Sequence, residues 1–187
     1  SSQYFSDVSG SYSWAARYVD TLYSIGVISG PAASDGTKRF SPGTAITRGD
    51  FMLYLVKALN LYSASPSGNF SDVTAGSYYY DAIATAKALG IAQGANNKFY
   101  PNSTITREDA MILALRAMNM SGNAVVSGSV SDLYSYPDNG SISGYAKEAV
   151  AALIKAGIVT GSSDGKVYPK STITRAESAA MLYRIKY

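Results

Sequence analysis

The sequence predicts an all-α fold of three tandem helix–loop–helix units in its 187 residues, and three observations carry that expectation. One helix start recurs as "ITRGDFMLYL" (46–55), "TITREDAMILAL" (104–115) and "ITRAESAAML" (173–182). A proline, Pro42, Pro101 or Pro169, stands six residues ahead of each arginine. Further upstream "GVISG" (26–30), "GIAQG" (90–94) and "GIVTG" (157–161) match with equal internal spacing. So many matched positions in one order define a repeat, and repeats dominate any reading of a fold.

Each unit opens with "FSDV" (5–8), "FSDV" (70–73) or "VSDL" (130–133) and continues into a first helix beginning at Trp14, Tyr78 or Tyr145. Ala15, Val19, Leu22 and Ile25 recur at helical spacing there. Gly26, Gly90 and Gly157 then occupy the position just past the helix end, each followed by an apolar residue, as a Schellman-type stop requires. "SDG" at 34–36 and 163–165 marks tight turns, and the segment entering each proline is expected to be extended. Thr47, Thr106 and Thr174 cap the second helix, with Asp50, Asp109 or Glu177 three residues on in the capping-box place. "FMLYLVKAL" (51–59) and "AMILALRAM" (110–118) are apolar around most of the circumference, which predicts burial of the second helices in a central three-helix bundle. The Ser, Gly and Asn-rich stretches 62–69 and 119–129 read as connectors. The units are therefore set at 1–61, 62–120 and 121–187, in a pseudo-threefold arrangement that forms one compact domain.

Composition removes several function classes. A hydrophobic fraction of 47% with 16% charged residues belongs to a folded chain. Without cysteine or histidine, thiolate and imidazole metal sites and the usual general base are missing, so no cofactor or metal is expected. No apolar run is long enough to span a membrane. A net charge of +3 with scattered cations gives nucleic acid little to hold. The start at Ser1, with no signal pattern, reads as a mature or trimmed fragment, expected to be monomeric. Sixteen tyrosines against one tryptophan suit a surface that meets polar ligands.

The order F-S-D-V, aromatic-Ala helix, G-I-x-x-G, aromatic-x-P and I-T-R-x-[DE] resembles the S-layer homology module over essentially the whole chain. The resemblance implies a secreted, non-catalytic anchor in the cell wall or S-layer of Gram-positive bacteria. It implies ligand grooves between neighbouring modules and a secondary cell wall polymer, carrying pyruvylated N-acetylmannosamine, as partner. The family's T-R-A-E motif is intact only at Thr174–Glu177 and reads T-R-G-D at 47–50 and T-R-E-D at 106–109.

Arg48, Arg107 and Arg175 pose the main question, because a cation at the first helical residue is disfavoured by the macrodipole. Two readings stay open. Each arginine either pairs with a carboxylate of the chain, or joins the helix N-terminus in receiving an anionic ligand, the guanidinium offering a fork for a planar carboxylate. Asp7, Asp72 and Asp132 are turn residues, partners of an arginine, or acceptors for sugar hydroxyls at a groove rim. Gly30, Gly94 and Gly161 are turn glycines, or places where a ligand lies against bare backbone. Trp14, Tyr78 and Tyr145 are half core and half sugar platform. The rivals are a protein-binding helical scaffold, which needs an exposed apolar face, and a glycan-cleaving enzyme, for which no carboxylate pair stands apart from the repeat.

Overall fold

The apolar runs and threonine caps become helices where the periodicity places them. A computed structural model of the protein describes residues 1–29, 36–62, 66, 68–125 and 127–187. Six α-helices and no strands occur among them: α1 (Ala16–Ser24), α2 (Arg48–Ala58), α3 (Tyr80–Ala88), α4 (Arg107–Ser121), α5 (Lys147–Lys155) and α6 (Arg175–Lys186). The first helix of units one and three is entered through a 3-10 turn, Gly10–Ala15 and Gly144–Ala146. The helix stops are of the Schellman kind. Gly26, Gly90 and Gly157 have φ of +83°, +77° and +74°. The amides of Val27, Ile91 and Ile158 return to the carbonyls of Leu22, Ala86 and Leu153 at 2.9–3.0 Å. Gly30, two residues of the 34–36 turn and part of the 62–69 connector lie outside the described residues.

The second helices are capped as expected, but the capping box is complete only once. Thr47, Thr106 and Thr174 each accept the amide three residues on through Oγ1. Only Glu177 reaches back to its own cap amide, at 2.9 Å. Asp50 and Asp109 are one methylene shorter, and their carboxylates turn to other partners.

Helix pairing crosses the sequence units. α3 packs on α2, α5 on α4 and α1 on α6, so each first helix lies chiefly against the second helix of the preceding unit. The chain's first helix closes this cycle on its last. α2 also packs on both α4 and α6, and Phe51 through Val56 of α2 are all buried. One continuous apolar cluster draws on all three units, from Phe5 and Phe40 to Phe99, Leu133 and Val167. An apolar pattern that wraps most of α2 is what contact with three neighbouring helices requires.

Candidate functional site

The helix starts show why an arginine stands there. In α2 the first two amides, of Arg48 and Gly49, donate to Ser103 O and Pro101 O of the second unit, both at 2.8 Å. Arg107 and Glu108 do the same to Ser171 O and Pro169 O of the third unit, and Arg175 and Ala176 to Thr44 O and Pro42 O of the first. The next two amides are taken by the cap threonine, through Oγ1 and its carbonyl. The three first-turn amides of each second helix, which have no partner within the helix, are thus satisfied by the chain. The anion site formed by backbone amides that the sequence suggested is therefore filled by neighbouring carbonyls. These carbonyls also offset the repulsion between the helix end and the guanidinium.

Each arginine side chain follows its backbone into the same neighbour. Nε of Arg48 donates to Phe99 O at 2.9 Å, Nε of Arg107 to Val167 O at 2.9 Å, and Nε of Arg175 to Phe40 O at 2.7 Å. Arg48 and Arg175 also stack on the rings of Phe99 and Phe40, 4.6 and 4.8 Å from the centroids. The order of these bonds is cyclic: first unit to second, second to third, third to first.

The receiving loop is held by an aspartate. Asp7 accepts the amides of Phe40 and Ser41 at 2.9 and 2.8 Å, and Asp72 those of Phe99 and Tyr100 at the same distances. In the third unit the clamp is Asp138, on Val167 and Tyr168 at 3.0 and 2.8 Å. Asp132 instead closes a capping box on the 3-10 turn Val130–Leu133, bonded to the amide of Ser129. The alignment of Asp132 with Asp7 and Asp72 is thus corrected to Asp138. The missed signal was an aromatic two residues ahead of the aspartate, Phe5, Phe70 and Tyr136. With both oxygens on backbone amides, these aspartates shape the loop and do not pair with an arginine.

The clamp explains a second departure. Ser41, Tyr100 and Tyr168, each just before its proline, have φ of +58°, +57° and +53° and are not extended. A left-handed conformation at a side-chain-bearing residue is costly. The charged acceptor offsets that cost by fixing two successive amides.

Among the described residues, two clefts lie between these parts. One, of about 520 Å³, is lined by Arg48, Gly94, Lys98, Tyr100, Asp109, Arg116 and Tyr145, among others. The other, of about 550 Å³, is lined by Trp14, Arg107, Gly161, Glu177 and Arg184, among others. The sequence-selected arginine, glycine and aromatic therefore meet in both, each drawn from different units. Tyr78 stands at the third boundary, 71% exposed, its hydroxyl donating to Asp50. Burial and that carboxylate push the phenol above its ordinary range. Tyr145, equally exposed, donates to Asp109 at 3.1 Å. Trp14 is half-exposed and has no hydroxyl for the matching bond.

Gly94 is required by the protein itself. Its φ is +66°, and a Cβ there would come within 2.6 Å of both Lys98 O and the Phe70 ring. The bare backbone that the sequence assigned to a ligand is thus already packed by the chain. Gly161 is less confined, its Cβ position 3.1 Å from the Tyr136 ring.

Electrostatics distinguish the arginines. Arg107 pairs with Glu177 at 2.5 Å and Arg175 with Asp50 at 3.1 Å. Among the described residues Arg48 has no ion pair. Burial lowers its affinity for a proton below the ordinary guanidinium value, opposed by the fields of Asp109 and Asp72. Since an arginine stays charged in any protein, this desolvated cation still seeks an anion.

The family model for the S-layer homology domain matches residues 4–52, 69–111 and 135–179. The chain belongs to the S-layer homology domain family. The third match opens three residues ahead of Asp138, as the others open three ahead of Asp7 and Asp72. An amylopullulanase of Thermoanaerobacterium thermosulfurigenes is 34% identical over 91% of the chain and 9% of its own length. Exoglucanase XynX of Acetivibrio thermocellus is 34% identical over 91% and 15%. The surface-layer 125 kDa protein of Lysinibacillus sphaericus is 31% identical over 96% and 14%. The chain thus spans less than a fifth of each of these three relatives. S-layer homology domains are non-catalytic modules that bind cell-wall polymers and anchor proteins at the cell surface. Among the described residues no helix is long and apolar enough to cross a membrane.

Proposed function

We propose that this S-layer homology chain grips an anionic cell-wall glycan, a polymer bearing pyruvylated N-acetylmannosamine, in the clefts between its units. The observation that carries the reading is the cleft at Arg48. A desolvated guanidinium, fixed through Nε to Phe99 O, presents its terminal nitrogens to a groove large enough for a sugar. A planar carboxylate matches that fork and supplies the missing charge. The exposed ring of Tyr145 offers a face for the sugar's C–H surface, while Lys98 and Arg116 add positive potential to the same groove.

In this reading Arg48, Arg107 and Arg175 are the candidate carboxylate-binding positions, Trp14, Tyr78 and Tyr145 the platforms, and Gly94 and Gly161 parts of the cleft walls. Asp7, Asp72 and Asp138 hold the loops that place the arginines. The cyclic bond order supports a pseudo-threefold arrangement of three units at 1–61, 62–120 and 121–187 within one domain. Repeated clefts on one chain would hold a polymer with avidity if more than one is filled. Calorimetric titration with pyruvylated N-acetylmannosamine and its unpyruvylated analogue tests the reading. Binding of the pyruvylated sugar alone is expected; equal affinity for the two removes the carboxylate from the account.

A further inference from the structure

The three guanidinium groups differ in how much of each the chain itself consumes. All of Arg175 is engaged: Nε on Phe40 O, Nη1 on Asp50 at 3.1 Å and Nη2 on the Tyr54 hydroxyl at 3.1 Å. Arg107 uses Nε on Val167 O and Nη1 on Glu177. Arg48 uses Nε on Phe99 O, and among the described residues neither terminal nitrogen has a partner. The order of availability is therefore Arg48, then Arg107, then Arg175.

The sequence explains two of these steps. Tyr54 stands four residues after Asp50, one helical turn on, where Leu113 and Met181 follow Asp109 and Glu177. Of these three only the tyrosine has an oxygen that can accept a hydrogen bond from a guanidinium, and Tyr54 is buried while doing so. Leu113 and Met181 instead form cleft wall beside Arg48 and Arg107. Glu177, with its longer side chain, caps Thr174 through one oxygen and reaches Arg107 with the other.

We propose that this chain carries one open carboxylate site, at Arg48, and two that are occupied by its own side chains. Glu177 acts as an internal competitor for the ligand carboxylate at Arg107, and Asp50 with Tyr54 does so at Arg175. The chain then holds one glycan end at a time. The inference rests on the anionic-glycan reading but makes a separate claim, about number and place.

The test is the stoichiometry of pyruvylated N-acetylmannosamine, measured by calorimetry on the intact chain. One equivalent is expected, with amide shifts in nuclear magnetic resonance confined to the wall of the Arg48 cleft, around Ala92–Tyr100 and Asp109–Arg116. Arg48→Gln should reduce affinity at least tenfold, whereas Glu177→Ala should raise the stoichiometry from one to two by freeing Arg107. The shift map on the unaltered protein decides the place even where a variant unfolds. Two or three equivalents in the unaltered chain, or shifts centred on Ile158–Ser163, overturn the single-site assignment while leaving the glycan reading in place. No binding at all overturns the glycan reading and this assignment with it.

Discussion

Arg107 and Glu177 meet across the boundary of the second and third units, Nη1 to Oε2 at 2.5 Å, with the arginine side chain only 10% exposed. The carboxylate is a third exposed, so water screens part of the attraction. Arg107→Ala also strands Val167 O, the acceptor of its Nε. A loss of roughly 1–3 kcal/mol in unfolding free energy is expected, below the cost of breaking a fully buried pair. A double-mutant cycle with Glu177→Ala, followed by chemical denaturation, checks this. Strict additivity of the two changes would show that the pair contributes nothing.

The threonine caps should differ in weight. Thr106→Ala removes one bond, to the Asp109 amide, and is expected to cost about 0.5–2 kcal/mol. Thr174→Ala also disturbs a complete box, and with it the carboxylate that pairs with Arg107. Thermal unfolding of the two variants side by side should show the larger fall for Thr174→Ala. A larger fall for Thr106→Ala would mean that the box adds no stability.

Much of this was legible because repetition multiplies weak signals. The three threonine caps, the three glycine stops and the apolar girth of α2 were each readable from spacing alone. The cyclic pairing of helices was not, since apolar periodicity says which face is buried and never against what. Asp138 escaped because Pro137 and Asn139 break the S-D-V pattern, leaving only Tyr136 as a marker. The left-handed residues before the prolines were hidden for a different reason: a long-range carboxylate, not local propensity, holds them there. Whether an arginine's partner is protein or ligand depends on side-chain reach between units, and no one-dimensional pattern encodes it.

Asp72 should make part of the stability dependent on pH. Burial raises its proton affinity, but the amides of Phe99 and Tyr100 outweigh that and hold the carboxyl below its ordinary value of 3.8. A depressed folded-state value means the contribution is complete above the unfolded value and drains as pH falls through the folded one. Unfolding free energy should therefore decline below about pH 4. Asp72→Asn should flatten that decline and cost about 1–2 kcal/mol at neutral pH, through loss of a charged acceptor. Denaturation midpoints of both proteins between pH 2 and pH 7, on the order of six points, would expose an unchanged slope if the clamp carries no such weight.

Gly94→Ala separates a glycine needed by a ligand from one needed by the fold. The loop beyond it turns back through Asn96 and Asn97, both left-handed, with the amides of Ala95 and Lys98 bonded to each other's carbonyls at 3.0 and 2.9 Å. That places Lys98 O against the face of Gly94 where a Cβ would project, and the Phe70 ring closes the other side. The ring is itself wedged beside Phe99, 5.6 Å between centroids, so it cannot yield without moving the residue whose carbonyl fixes Arg48. A methyl group here must therefore shift the loop, on top of the strain of a positive φ, and a stability loss of about 1–3 kcal/mol is expected. Glycan affinity should fall in the same variant because Arg48 loses its anchor. Gly161→Ala, without a positive φ and with more room, should be milder in the same melting experiment. Full thermal stability of Gly94→Ala with lost binding would return this glycine to the ligand.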